Sequence, residues 1–151
     1  MELTKEEYDE AVYTATTLNL YGAEMLSNAG YELAHKVCNG IGAEWMPSAM
    51  REFLDKLNPD LKVVAMIHDL AYYFGDGTIY DFTKRNHEFK KNAYIIAGEK
   101  AWYNPLKYLI KFQGNKYANI CQHYGMKAYE DAIKERREDE SKLIIAESNF
   151  A

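Results

Sequence analysis

The stretch VVAMIHDLAYYFGDGT, Val63 to Thr78, places a histidine and an aspartate side by side in an otherwise apolar run. Such a run reads as a core helix, where an ionisable group without a partner costs on the order of several kcal/mol or neutralises itself. The rest of the chain must therefore supply His68 and Asp69 with a metal, a hydrogen-bonding partner or a reaction. The ends of this helix are marked in the sequence. Asn58 followed by Pro59 is an N-cap with proline at the first helical position, and Gly75-Asp76-Gly77 is a stop.

Other segments carry similar signals. Thr4 and Glu7 form a capping-box pattern, with Tyr8, Ala11, Val12, Ala15 and Leu18 at helical spacing behind it. Tyr21 to Pro47 is broken by four glycines and a proline, which predicts short helical pieces ending in an irregular loop over Cys38 to Glu44. Asp81 is placed to cap a helix through about Ala97, with Phe82, Phe89, Ala93 and Ile96 facing inward and Gly98 as its stop. Asn104-Pro105 repeats the cap-then-proline signature, and one or two further helices follow, divided near Gly125. No segment alternates with a period of two between hairpin turns, so the expected fold is all-α. One domain spans 1–151: an N-terminal helical segment (1–37), a core (38–129) and a charged C-terminal helix or tail (130–151) whose KERREDESK run reads as solvated.

Composition limits the functions open to the chain. A hydrophobic content of 48% beside 27% charged residues is that of a soluble globular protein, and no apolar run approaches a membrane span. The net charge of −5 provides no electrostatic reason to bind nucleic acid. The opening MELTKEEYDE is acidic where a signal peptide would be basic and then apolar, so a cytoplasmic protein is expected. Cys38 and Cys121 are too few for a disulfide scaffold and are expected as reduced thiols, although one bridge between them is an open alternative. Neither has a basic cluster nearby to activate it as a nucleophile. Tyr13, Tyr21, Tyr31, Tyr108 and Tyr117 read as core-edge residues with wet hydroxyls.

Function concentrates around the His-Asp pair. On one helix His68 and Asp69 point about 100° apart, so they can border one cleft in different roles, with Tyr72 one turn beyond His68 and Tyr73 one turn beyond Asp69. Gly40 and Gly42 would let a loop turn its carbonyls inward, which is how a hard cation acquires oxygen ligands where carboxylates are few. The helix after Thr78 offers Asn86, followed by Phe89 and Ala93 at helical spacing, so an antiparallel return would set Asn86 against His68.

A glycine-rich loop, a His-Asp-x-x-Tyr helix and an antiparallel helix with a polar residue facing the histidine, in this order, resemble the phospholipase A2 superfamily. The segments NGIGAEWMP, IHDLAYYFGDGT, RNHEFKKN and YANICQHYGMKAY are most similar to its small phage- and prophage-type members, over about Cys38 to Tyr129. The resemblance implies a phospholipase A2-like fold and a Ca²⁺-dependent acyl-ester hydrolase acting on phospholipid at a membrane surface, released with a phage or by host lysis. It implies His68 as the general base, Tyr72 as support of its hydrogen-bond network, and Asp69 as a Ca²⁺ ligand with loop carbonyls around Gly40 and Gly42. Trp45 and Met46 would sit at the rim of such a site or anchor the core. Two departures stand out. Asn86 occupies the position of the family's histidine-orienting aspartate, and the loop lacks the family's cysteine and fuller glycine run.

Two other readings compete. His35, the His68-Asp69 pair and Asp131 follow the order of the HD-type metal-dependent phosphohydrolases, with His87 and His123 as spare ligands for a transition metal. Alternatively the scaffold persists as a non-catalytic interaction or structural module, which Asn86 favours.

Overall fold

The computed structural model describes residues 2–38, 52–53 and 55–149. These residues contain seven α-helices and no strand. The helices are α1 (Lys5–Thr17), α2 (Ala23–Ala29), α3 (Tyr31–Cys38), α4 (Lys62–Tyr73), α5 (Ile79–Gly98), α6 (Pro105–Tyr124) and α7 (Met126–Asn149).

Helix α4 is the hub. It buries Val63, Val64, Met66, Ile67, His68, Leu70, Ala71, Tyr72 and Tyr73, a set that runs around nearly the whole helix instead of along one stripe. A helix apolar on every side must be covered on every side. Accordingly α1, α2 and α3 pack against it, as do α5 and α7. The expected start is present but has a different form: Asn58 accepts a hydrogen bond from the Asp60 amide, and Pro59–Leu61 form a 3₁₀ turn that feeds into α4. The chain then reverses through residues 74–78 into α5.

The cap of α5 corrects the sequence reading. Thr78, not Asp81, is the N-cap, its hydroxyl accepting from the Asp81 amide (3.1 Å). Asp81 is used differently: its carboxylate accepts from the Tyr129 hydroxyl (2.6 Å) and from Arg85 Nε (3.1 Å). Thr78 followed three residues later by Asp81 has the same spacing as Thr4 and Glu7, and the Asp81 carboxylate meets Tyr129, which approaches from α7. Phe82, Phe89, Ala93 and Ile96 are buried as expected, and Gly98 ends the helix. The capping box at Thr4 and the Asn104-Pro105 start of α6 are both formed.

Three further expectations change. Cys38 completes α3 instead of opening a loop. Tyr13 and Tyr108 project into solvent, while Tyr117 is fully inside the core. The charged C-terminal run is helical to Asn149, and part of it is anchored: Arg136 donates to the carbonyls of Tyr73 (2.8 Å) and Gly75 (2.9 Å), closing the C-terminus of α4. Asp139 accepts from the Tyr73 hydroxyl (2.9 Å) and from Lys36 (2.5 Å), tying α7 to α4 and α3. Periodicity showed the charge of this run but not the carbonyls it would meet. The cysteines are free thiols. Among the described residues no helix is long and apolar enough to cross a membrane.

The most extensive pairing joins α5 and α6. It depends on Gly114, where an added Cβ would run into the Cβ of Ala93. Gly114→Ala is expected to cost about 1–3 kcal/mol of stability in urea unfolding, as overpacking at a rigid contact does. Addition of Ala93→Gly should recover part of that loss.

Candidate functional site

Three amide side chains are buried among the described residues, and they have different tasks. Asn92 accepts from the Tyr21 amide (2.8 Å) and donates to the Tyr21 carbonyl (2.9 Å), so it clamps the turn before α2. Gln113 does the same for the approach to α4, through the Asn58 amide (2.8 Å) and the Lys56 carbonyl (3.0 Å). Asn86 is bonded to side chains only. Its Oδ1 lies 2.9 Å from His68 Nε2 and accepts from the Tyr72 hydroxyl at 2.5 Å, while its Nδ2 donates to Gln122 Oε1 at 2.9 Å. Gln122 Nε2 donates in turn to Thr83 Oγ1 at 3.0 Å. The antiparallel return of α5 against α4 thus sets Asn86 against His68.

This arrangement defines the state of the imidazole. Because Oδ1 can only accept, His68 Nε2 carries the proton and Nδ1 keeps its lone pair. Nδ1 is buried and has no hydrogen-bond partner among the described residues. Buried polar atoms are nearly always paired, so an unpaired one marks a place where something else binds or reacts. The ring is boxed by aromatics: Tyr72 at 4.2 Å between centroids, and Phe89 and Tyr117 each edge-on at 5.5 Å, themselves stacked at 4.0 Å. Burial in this cage pushes the imidazole down to about 4, against the smaller opposing effect of the Asn86 bond. His68 is therefore neutral at pH 7 and able to accept a proton.

Asp69 lies on the adjoining face and is only partly shielded from solvent. Among the described residues no donor or cation pairs with it, and desolvation pushes its carboxyl up to about 7. Cys38, the last described residue before 39–51, sits close by: its thiol contacts the Met66 carbonyl (3.8 Å) and is pushed up by burial and by the charge of Asp69. The candidate cation ligands around Gly40 and Gly42 lie outside the described residues, as do Trp45 and Met46. A carboxyl lacking a counter-charge fits a hard cation, and Asp69 is the one such ligand that the described residues bring to this place. Tyr73 does not reach Asp69; its hydroxyl bonds to Asp139 of α7.

The phosphohydrolase ligand set does not assemble. His35 pairs with Glu2 (3.0 Å), Asp131 with Lys127 (2.9 Å), and His123 Nδ1 meets the Asn119 carbonyl (2.8 Å). His87 is exposed. Among the described residues no three His, Cys, Asp or Glu side chains converge as a metal site. Cys121 packs among Tyr72 and Tyr117, and burial pushes its thiol up to about 12, so it is no nucleophile. Sequence reasoning missed Gln122 and Thr83. Neither carries a local signal, since an exposed amide and an exposed hydroxyl on two helices acquire their role only where the helices meet. An open cleft of about 450 Å³, lined by Glu7, Glu10, Lys62, Met66 and Glu99 among others, contains none of the network residues. Comparison of the chain with protein-family models, with curated proteins and with solved structures finds no match.

The two perturbed groups have opposite effects on stability. His68, lowered to about 4 from 6.5, favours the fold above pH 6.5, and that contribution is lost as pH falls towards 4. Asp69, raised to about 7 from 3.8, favours the fold below pH 3.8, and its contribution is lost as pH rises through 7. Between pH 4 and 6.5 the two offset each other. Asp69→Asn should expose the histidine alone: unfolding free energies from urea titrations at pH 7 and 4.5 should fall more on acidification than in the wild type, by up to roughly 3 kcal/mol. His68→Gln should reverse the sign, leaving a protein that gains stability on acidification relative to the wild type.

Proposed function

We propose that this chain is a phospholipase A2-like acyl-ester hydrolase, of the kind found among small phage- and prophage-type proteins, with His68 as general base. The observation that carries the reading is the unpaired, unprotonated Nδ1 of a buried histidine whose other nitrogen is tied to Asn86 and, through it, to Tyr72. Buried side-chain nitrogens are paired in the large majority of cases, so a free one among the described residues favours a reacting histidine over a structural one. In this reading Nδ1 takes a proton from a water molecule as that water attacks the ester carbonyl. The resulting imidazolium returns the proton to the departing alcohol oxygen, releasing a carboxylic acid and the alcohol half of the ester. Tyr72 and Asn86 keep the ring from turning while the proton is held.

Asp69, with carbonyl oxygens around Gly40 and Gly42, would hold the Ca²⁺, which when bound supplies stabilisation of the negative charge developing on the ester oxygen. Binding needs the ionised carboxylate, so Ca²⁺ affinity should rise with pH through about 7. The outer face around α6 supports a lipid substrate. Trp102, Tyr103, Leu106, Leu109 and Phe112 are exposed there, with Lys107, Lys111 and Lys116 interspersed, a composition suited to an anionic lipid surface.

Asn86 limits the chemistry. Its amide orients the imidazole but leaves the imidazolium without a counter-charge, and such a replacement in a catalytic histidine–aspartate pair can cost about 10⁴ in rate. A second reading, a module whose catalytic site has lapsed, rests on this residue.

The test is hydrolysis of anionic phospholipid vesicles by the full chain with Ca²⁺ or chelator. The expected result is slow, Ca²⁺-dependent release of fatty acid, abolished by His68→Gln and by Asp69→Ala, and raised by about 10²-fold or more by Asn86→Asp. No release from the wild type or from Asn86→Asp would overturn the hydrolase reading, and calorimetric Ca²⁺ binding that survives Asp69→Ala would overturn the ligand assignment.

A further inference from the structure

The hydrogen-bond chain His68–Asn86–Gln122–Thr83 passes from the centre of the core to the surface, and its outer amide belongs to an exposed residue of α6. An amide presents a donor on one side and an acceptor on the other, so two in series transmit polarity. Thr83 takes the Gln122 Nε2–H, which turns Oε1 inward. Oε1 takes the Asn86 Nδ2–H, which turns Oδ1 towards His68. Oδ1 accepts the proton on Nε2, and Nδ1 is left as a lone pair. If every amide in the chain were turned over, Asn86 Nδ2 would donate to Nε2, the ring proton would move to Nδ1, and the buried Tyr72 hydroxyl would lose Asn86 as its acceptor.

We propose that Gln122 is a positioning residue that sets the tautomer of the buried His68, acting through Asn86 from the solvent edge of the fold. Two anchors hold the amide of Asn86: Tyr72 grips the oxygen from α4, and Gln122 grips the nitrogen from α6. The second is the adjustable one, because the side chain at 122 can be changed without opening the core. An aspartate at 86 would accept along every direction and need no such grip. With an asparagine there, the orientation of the amide decides which ring nitrogen is free, and the residue at 122 becomes part of the machinery. The consequence for hydrolysis rests on the reading of His68 as a base; the tautomer itself does not.

The two are separated by measuring the tautomer directly. Two-bond ¹H–¹⁵N correlation spectra of the full chain with ¹⁵N-labelled histidine, at pH 7, distinguish a protonated from an unprotonated ring nitrogen, and His68→Gln identifies the signal. The wild type should show the Nε2–H form. Gln122→Glu offers only acceptors to Asn86 and should keep that form. Gln122→Met offers neither donor nor acceptor and should admit a mixture, and Gln122→Lys, a donor only, should make Nδ1–H the major form. Circular dichroism checks that all three remain folded. An Nδ1–H wild type, or the same tautomer in all four proteins, overturns the proposal. Where vesicle hydrolysis is measurable, Gln122→Lys should lower kcat at least tenfold with KM little changed, and by more than Gln122→Glu does. Absence of hydrolysis in every protein beside a reversed tautomer in Gln122→Lys would overturn the hydrolase reading and leave the positioning role of Gln122 standing.

Discussion

The bond between His68 and Asn86 makes the central helix possible. Helix α4 is covered on nearly every side, and in its middle is an imidazole with polar nitrogens to satisfy. Asn86 satisfies one of them and also accepts from Tyr72, so a single oxygen accounts for two buried donors. Without it, α4 would carry an unpaired imidazole and an unpaired phenol into the tightest part of the core, each costing about 1–3 kcal/mol. The register of α5 on α4 depends on this meeting, and α6 follows because Gly114 lets it close on Ala93.

A second, smaller cluster finishes the other end of α4. Tyr72, Phe82, Tyr129 and Ile133 pack together, and the Tyr129 ring lies where a side chain at Gly75 would be. The Tyr129 hydroxyl accepts from the Gly77 amide (2.9 Å) while donating to Asp81, so one phenol from α7 holds both the turn and the first turn of α5. Tyr72 belongs to this cluster through its ring and to the histidine network through its hydroxyl. The turn that returns the chain and the amide that faces the histidine are thereby linked by packing, and neither can shift alone.

The site itself is electrostatically unfinished. His68 is held neutral by burial, Asp69 is pushed towards neutrality for the same reason, and no charge among the described residues compensates either. Structural networks elsewhere in the molecule end in matched partners, such as Arg85 with Asp81 or Lys36 with Asp139. Two ionisable groups adjacent in sequence, both lacking a partner for their charged forms, are better suited to a ligand than to stability.

Much of the fold could be read from local signals. The caps at Thr4, Asn58 and Asn104, the break near Gly125 and the inward face of α5 depend on neighbouring residues, and short-range chemistry is what a sequence states directly. The pairing of His68 with Asn86 was also legible, because two antiparallel helices joined by a tight turn have few registers. Other features needed the third dimension. The Asp81 carboxylate is met by Tyr129, 48 positions along the chain. Tyr73 bonds through its hydroxyl to Asp139 and through its carbonyl to Arg136, because the charged C-terminal run meets the end of α4. Gln122 carried no signal of its own. Local signals alone account for the all-helical class, the apolar hub and the histidine–aspartate pair within it. The packing of distant segments settles which polar atoms are satisfied and leaves His68 Nδ1 without a partner among the described residues, because the desolvation of a group and the partners that offset it depend on contacts between distant parts of the chain.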